Sequence, residues 1–257
     1  MMRAKRTVMN AWRTAAMTLV ALSALSAASA NLVQDPSFET TQSNNTYGFP
    51  PTTWFAGQSF GSTASGDTSG TSQVWVVTSG SIDLVNGPNF GHPGGGGNQF
   101  VELNGNNPGA IRQTVTVGVG GLYDFSFYYG GYAATASGLD AASDYVLSAR
   151  ARIVDSGGGV VHSADVIWSI ALGGFNGSWI ITPYTAQFVL SAGTTYYVEF
   201  ETLHFGGVDS NNNYIPDYFG PRIDGVNLSL VPEPASMLAL GAGLAGLLGL
   251  CRRRARG

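Results

Sequence analysis

The chain of 257 residues has one cysteine, Cys251, and one lysine, Lys5. A lone thiol closes no intrachain disulfide, so the fold must rest on its core, with bound metal as the other source of stability. Cations are equally scarce away from the ends. Residues 31 to 230 hold Arg112, Arg150, Arg152 and Arg222, no lysine and fifteen Asp or Glu, a balance of −11 that the whole-chain value of −4 conceals. Such a surface repels nucleic acid and anionic lipid, and it favours divalent cations or neutral partners. A nucleic-acid function is excluded. Catalytic signatures are missing too: His92, His162 and His204 are scattered, and neither Gly-x-Ser-x-Gly nor His-Glu-x-x-His occurs. Gly94 to Gly97 has no following Gly-Lys-Ser/Thr and reads as a surface loop. Glu199 and Glu201 share one strand face, whereas a retaining glycosidase needs carboxyls about 5 Å apart, usually from different strands beside a cleft. A non-enzymatic protein is expected.

What is present begins at the ends. Arg3, Lys5, Arg6 and Arg13 precede an apolar stretch from Ala15 to Leu25, and Ala28-Ser29-Ala30 follows as an A-x-A site. This is the pattern of a signal peptide for the Sec translocon, cleaved after Ala30 so that the mature chain starts at Asn31. At the other end, Val231-Pro232-Glu233-Pro234 leads into an apolar run from Met237 to Cys251 and then Arg252, Arg253, Arg254 and Arg256. The prolines break any preceding element, and the arginines hold the tail on the cytoplasmic side. Fifteen residues make a helix of about 22 Å against a hydrocarbon core of roughly 30 Å, which suits a transient inner-membrane anchor better than a permanent one. Motif, span and basic tail in this order resemble the PEP-CTERM sorting signal of bacteria that make extracellular polysaccharide. That resemblance implies cleavage near Pro232-Glu233-Pro234 by an exosortase, and a cell-surface or extracellular-matrix destination.

Three regions are therefore expected: a signal peptide over 1–30, an ectodomain over 31–230 and a sorting segment with a transmembrane helix over 231–257. The ectodomain shows no long helical period. Short runs rich in Val, Ile, Thr, Phe and Tyr alternate with Gly, Asn, Ser and Pro, which predicts an all-β antiparallel two-sheet sandwich, most simply a jelly roll. Ten strands are predicted, at 72–77, 81–84, 99–103, 110–117, 122–129, 145–154, 160–170, 185–190, 195–203 and 222–230. In the fifth, Tyr123, Phe125, Phe127 and Tyr129 share one face and Asp124, Ser126 and Tyr128 the other. Asp155-Ser-Gly-Gly-Gly159 predicts a hairpin turn, and 56–72 and 86–98 read as long loops.

Several phrases then coincide in order: Asn31 to Glu39, Gly80-Ser-Ile-Asp83, Phe100-Val-Glu-Leu-Asn-Gly105, Pro108 to Thr114, Gly121-Leu-Tyr123 and Gly220-Pro-Arg-Ile-Asp-Gly-Val226. Together they resemble the choice-of-anchor family of exported bacterial domains, related to galactose-binding-like jelly rolls. Gly225 departs from it, standing where Asn or Asp is usual, and 207–219 looks like an insertion. The resemblance implies association with polysaccharide or cell-envelope glycan, and a structural Ca²⁺ held by Glu39 and Asp224. A second cation candidate is Asp209, Asn211, Asn213 and Asp217, whose two-residue rhythm suits oxygen ligation and resembles a thrombospondin-type repeat; its low ligand charge implies weak binding. A plain Asx-rich turn explains the same residues. For sugar stacking, Tyr129 and Tyr132 in the run from Phe127 to Tyr132 are the loop-edge candidates, and Trp54, just after Pro50-Pro51, is the exposed single candidate. A structural surface protein without ligand, and a glycan hydrolase or lyase, are the alternatives.

Overall fold

The computed structural model describes residues 30–39, 52–60, 74–86, 99–131, 146–169, 182–203, 207–208, 214–215, 220–232 and 243. Asn31–Leu228 forms one compact unit. Its strands are β1 (Thr52–Phe55), β2 (Ser59–Phe60), β3 (Trp75–Ser79), β4 (Ser81–Asn86), β5 (Gln99–Glu102), β6 (Ala110–Thr116) and β7 (Gly121–Gly130). They continue as β8 (Val146–Asp155), β9 (Val160–Ser169), β10 (Thr182–Leu190), β11 (Thr195–Thr202), β12 (Gly207–Val208), β13 (Tyr214–Ile215) and β14 (Arg222–Leu230). Two six-stranded sheets build the jelly-roll sandwich: β1-β4-β5-β14-β7-β10, called sheet A here, and β2-β3-β6-β11-β8-β9, sheet B; β12 and β13 pair separately.

Alternation along the strands decides which side faces in. On β7, Tyr123, Phe125 and Phe127 are buried, while Asp124, Ser126 and Tyr128 are only half-buried. Phe127 meets Phe200 of β11 edge-on at 5.0 Å between centroids. Trp75 is fully buried and lies 5.4 Å from Phe38 and 6.3 Å from Phe200. Each such ring contributes about 1.5–3 kcal/mol by leaving water. Phe38 and Phe60 come from stretches without strand periodicity, yet both are fully buried. The loop expected over 56–72 is corrected here: Ser59 and Phe60 pair with Val76 and Trp75, because one large ring drawn into the core pulls its backbone onto the sheet edge.

Two local devices fix the register. In the β8–β9 turn Asp155 Oδ1 accepts the N–H groups of Gly157 and Gly159, each at 2.8 Å, and Gly158 takes a φ of +89°. On β14, Ile223, Val226 and Leu228 are all fully buried, so the alternation changes phase at Gly225, whose φ is +58°. This left-handed conformation accounts for the departure seen in the sequence, since Gly, Asn and Asp are the residues that enter it at least cost. Before β1, the opening segment is tied to β14. Asn31 donates to the carbonyl of Val226 at 3.0 Å and accepts from Leu228 N–H at 2.9 Å, and Leu32 N–H donates to the Leu228 carbonyl at 2.8 Å.

Candidate functional site

The outer face of β7 and β10 is the open, polar part of sheet A. Its antiparallel register sets Leu122 opposite Val189, Asp124 opposite Gln187, Ser126 opposite Thr185 and Tyr128 opposite Pro183. These rungs are two residues apart, so from Leu122 to Tyr128 the face runs roughly 20 Å. Leu122 and Val189 are 40% and 69% exposed, an apolar end in open solvent. In the middle Gln187 Nε2 donates to Asp124 Oδ1 at 2.5 Å. Asp124, Ser126, Thr185, Gln187 and, from β14, Asn227 line a trough of 620 Å³. The arrangement is chemically specific: amide, hydroxyl and carboxylate groups on rigid strands between an apolar rung and an aromatic one. Hydroxyl-rich rings, with polar edges and apolar C–H faces, are what such a surface accommodates.

The remainder of sheet A is polar inside rather than open. Thr53, Asp83, Glu102 and Arg222 stand in one cross-strand row over β1, β4, β5 and β14. Glu102 Oε2 accepts from Arg222 Nε at 2.9 Å and lies 2.9 Å from Nη2, while Oε1 takes the Gly220 N–H at 2.9 Å. Arg222 also covers the Phe100 ring at 4.6 Å. Burial pushes the Glu102 carboxyl up, and the Arg222 charge and the Gly220 N–H pull it back. Burial likewise raises Asp83, against a hydrogen bond from the Thr53 hydroxyl at 2.6 Å. Beside Gly220, Asn104 is fully buried with both ends of its amide unmatched among the described residues. Sequence reasoning missed this row. Asp83, Glu102 and Arg222 stood in three of the phrases carrying the family resemblance, but nothing in a single strand shows that an acid there is buried.

The outer face of sheet B carries its own charges in a ladder. Arg152 reaches Glu199 at 3.1 Å and Glu201 at 3.2 Å, Arg150 reaches Asp165 at 2.6 Å and Glu201 at 3.5 Å, and Arg112 lies 4.0 Å from Glu199. Glu199 and Glu201 thus face arginines, consistent with a solvated sheet face.

The residues named from sequence fall as follows. Glu39 is exposed, and its Oε1 accepts the Gln99 N–H at 2.5 Å. Asp224 is fully buried, and its Oδ1 accepts the Gly225 N–H at 2.7 Å. Among the described residues no group of three His, Cys, Asp or Glu converges as a metal would require. Trp54, expected to be exposed, is half-buried 5.9 Å from Phe60, with its indole N–H buried and unmatched among the described residues. That follows from its place on β1, where it pairs with the core residue Ile82. Tyr129 is half-buried and lies 6.3 Å from Phe127, on the side of β7 away from the trough. Tyr132, Asp209, Asn211, Asn213, Asp217, Glu233, Pro234 and Arg252 to Arg254 lie outside the described residues. Ala30 and Pro232 are both exposed. Among the described residues no helix is long and apolar enough to cross a membrane, and the expected span over 237–251 lies outside them save for Gly243.

No curated protein matches the chain. Among solved structures it is similar to TmCBM61 in complex with β-1,4-galactotriose, at 15% identity over 79% of this chain and 100% of that one, with a TM-score of 0.41. A family 35 carbohydrate-binding module from Clostridium thermocellum matches at 16% identity, over 61% of this chain and 92% of that one, with a TM-score of 0.34. CBM35 from Paenibacillus barcinonensis matches at 16% identity, over 70% and 99%, with a TM-score of 0.33. Residues 230–254 match the PEP-CTERM protein-sorting motif, which marks the chain as exported and directed to the cell surface by an exosortase-dependent route.

Proposed function

We propose that the chain is a non-catalytic glycan-binding protein of the cell exterior, delivered by its sorting signal and held in the extracellular polysaccharide through the trough on sheet A. The observation carrying this reading is the face of β7 and β10, where Asp124, Gln187, Ser126 and Thr185 present polar groups between the apolar rung of Leu122 and Val189 and the Tyr128 rung. Strand-borne side chains lose little freedom on binding, so such a face is organised in advance for a long ligand. Binding to a panel of polysaccharides, the host's own included, tests it. Affinity should fall about twofold to tenfold in each of Tyr128→Ala and Gln187→Ala, since a stacked ring or a hydrogen-bonding amide contributes about 0.5–1.5 kcal/mol. No retention on any polysaccharide removes the reading.

Calcium belongs to the same proposal. Glu39 and Asp224, with neighbouring carbonyls, would supply the hard oxygen ligands. The complete burial of the Asp224 carboxylate supports it. So does the join between the opening segment and β14, where Val226 N–H donates to the Pro36 carbonyl at 2.9 Å.

A further inference from the structure

We propose that the trough selects glycans bearing free amines and that Asp124 reads the ammonium group; the inference rests on the glycan reading above. It comes from an inventory of cations. Residues 31 to 230 contain no lysine and four arginines. Three are held by carboxylates, Arg222 by Glu102 at 2.9 Å, Arg150 by Asp165 at 2.6 Å and Arg152 by Glu199 at 3.1 Å, while Arg112 covers the Tyr197 ring at 4.5 Å with Glu199 4.0 Å away. None lines the trough, so no fixed cation stands there to receive a uronate, sulfate or phosphate. Arg222 is also buried, so it is closed to a ligand. The other three lie on the outer face of sheet B. The sandwich core alone is about 10 Å thick, so they stand more than a Debye length of about 8 Å from the outer face of sheet A.

The trough itself has the opposite bias. Asp124 is the one acidic side chain among its lining residues, and its hydrogen-bond partner is the neutral amide of Gln187. Nothing in the lining neutralises it. An ammonium placed about 4 Å from that carboxylate in water gains roughly a fivefold tightening, and an acidic sugar loses a similar factor. The eleven acids in excess over the arginines add a long-range field of the same sign, which speeds the arrival of a cationic polymer.

Three oligosaccharide sets provide the test, titrated against the purified full chain at a pH where amines are protonated: glucosamine oligomers, their N-acetylated counterparts, and oligouronates. The free-amine set should bind at least about fivefold tighter than the N-acetylated set, with the oligouronates weakest, and the advantage should shrink in ~1 M salt. Asp124→Asn should abolish the difference between the first two sets. Asp165→Asn removes the same charge from sheet B and should leave the difference in place. Equal binding of amine and N-acetyl sets overturns the inference while keeping the glycan reading. Tightest binding of oligouronates, or an amine preference that survives Asp124→Asn, also overturns it. If none of the three binds and the wider panel is empty too, both fall.

Discussion

Replacing Arg222 with methionine tests the energetic centre of sheet A. In the folded protein Glu102 Oε2 has both Nε and Nη2 of Arg222 at 2.9 Å, and the two side chains are 4% and 3% exposed. Methionine keeps part of the apolar cover over Phe100 but removes both donors and the charge. Glu102 retains only the Gly220 N–H, and it still stands opposite Asp83, so the carboxylate is buried, under-solvated and repelled. Removing one partner of such a pair costs about 3–5 kcal/mol. For a domain of this size each kcal/mol moves the midpoint about 2–4 °C, so Arg222→Met should lower Tm by roughly 6–20 °C. The discriminating assay is a double-mutant cycle in urea or heat. Glu102→Met combined with Arg222→Met removes both charges and should be less destabilised than Arg222→Met alone. A melt of Arg222→Met within about 2 °C of wild type, or a double variant no better than the single, would refute the argument that the pair stabilises by mutual compensation.

The acids and the histidine give opposite pH responses in different windows. Burial raises Asp83, so the folded state holds its proton more tightly than the unfolded chain; stability should fall as pH rises from the ordinary carboxylate range through the folded value. Asp83→Asn should reduce that slope, as read by Tm against pH, leaving the part that the likewise raised Glu102 contributes. His162 runs the other way. Desolvation lowers its pKa, while its Nε2 lies 2.7 Å from the Tyr184 hydroxyl and its ring stacks 5.1 Å from Phe188. Its contribution is complete above the unfolded value near 6.5 and is lost as pH falls through the lower folded value; His162→Phe should flatten that limb. For calcium, EDTA should lower Tm, and Glu39→Gln should shrink that shift; an unchanged transition on chelation removes both the Glu39–Asp224 site and the candidate at Asp209, Asn211, Asn213 and Asp217.

Strand positions were legible wherever period two ran uninterrupted. All ten predicted strands are present, and β7 buries the face its rings mark. The four missed strands are two to four residues long, too short for alternation to register, and β1 sits directly behind Pro50-Pro51. Site residues were harder. Tyr128 could be placed with Asp124 and Ser126 from β7 alone, but their partners Thr185 and Gln187 lie about sixty residues on, and pairing across that distance leaves no mark in sequence. The Glu102–Arg222 pair is hidden for the same reason at a separation of 120 residues. Trp54 illustrates the converse error: a tryptophan beside prolines suggests an exposed loop, whereas its register opposite Ile82 turns it toward Phe60.

The matched sorting motif begins at residue 230, the last residue of β14, and β14 runs between β5 and β7 in the interior of its sheet. Tension applied through that segment would therefore load a strand flanked on both sides, not one at a free edge. Asn31 and Leu32 clamp the same strand, so its mechanical seat is finished only when the earliest and latest parts of the ectodomain have both arrived. A domain built this way should mature late, after translocation has delivered its final strand.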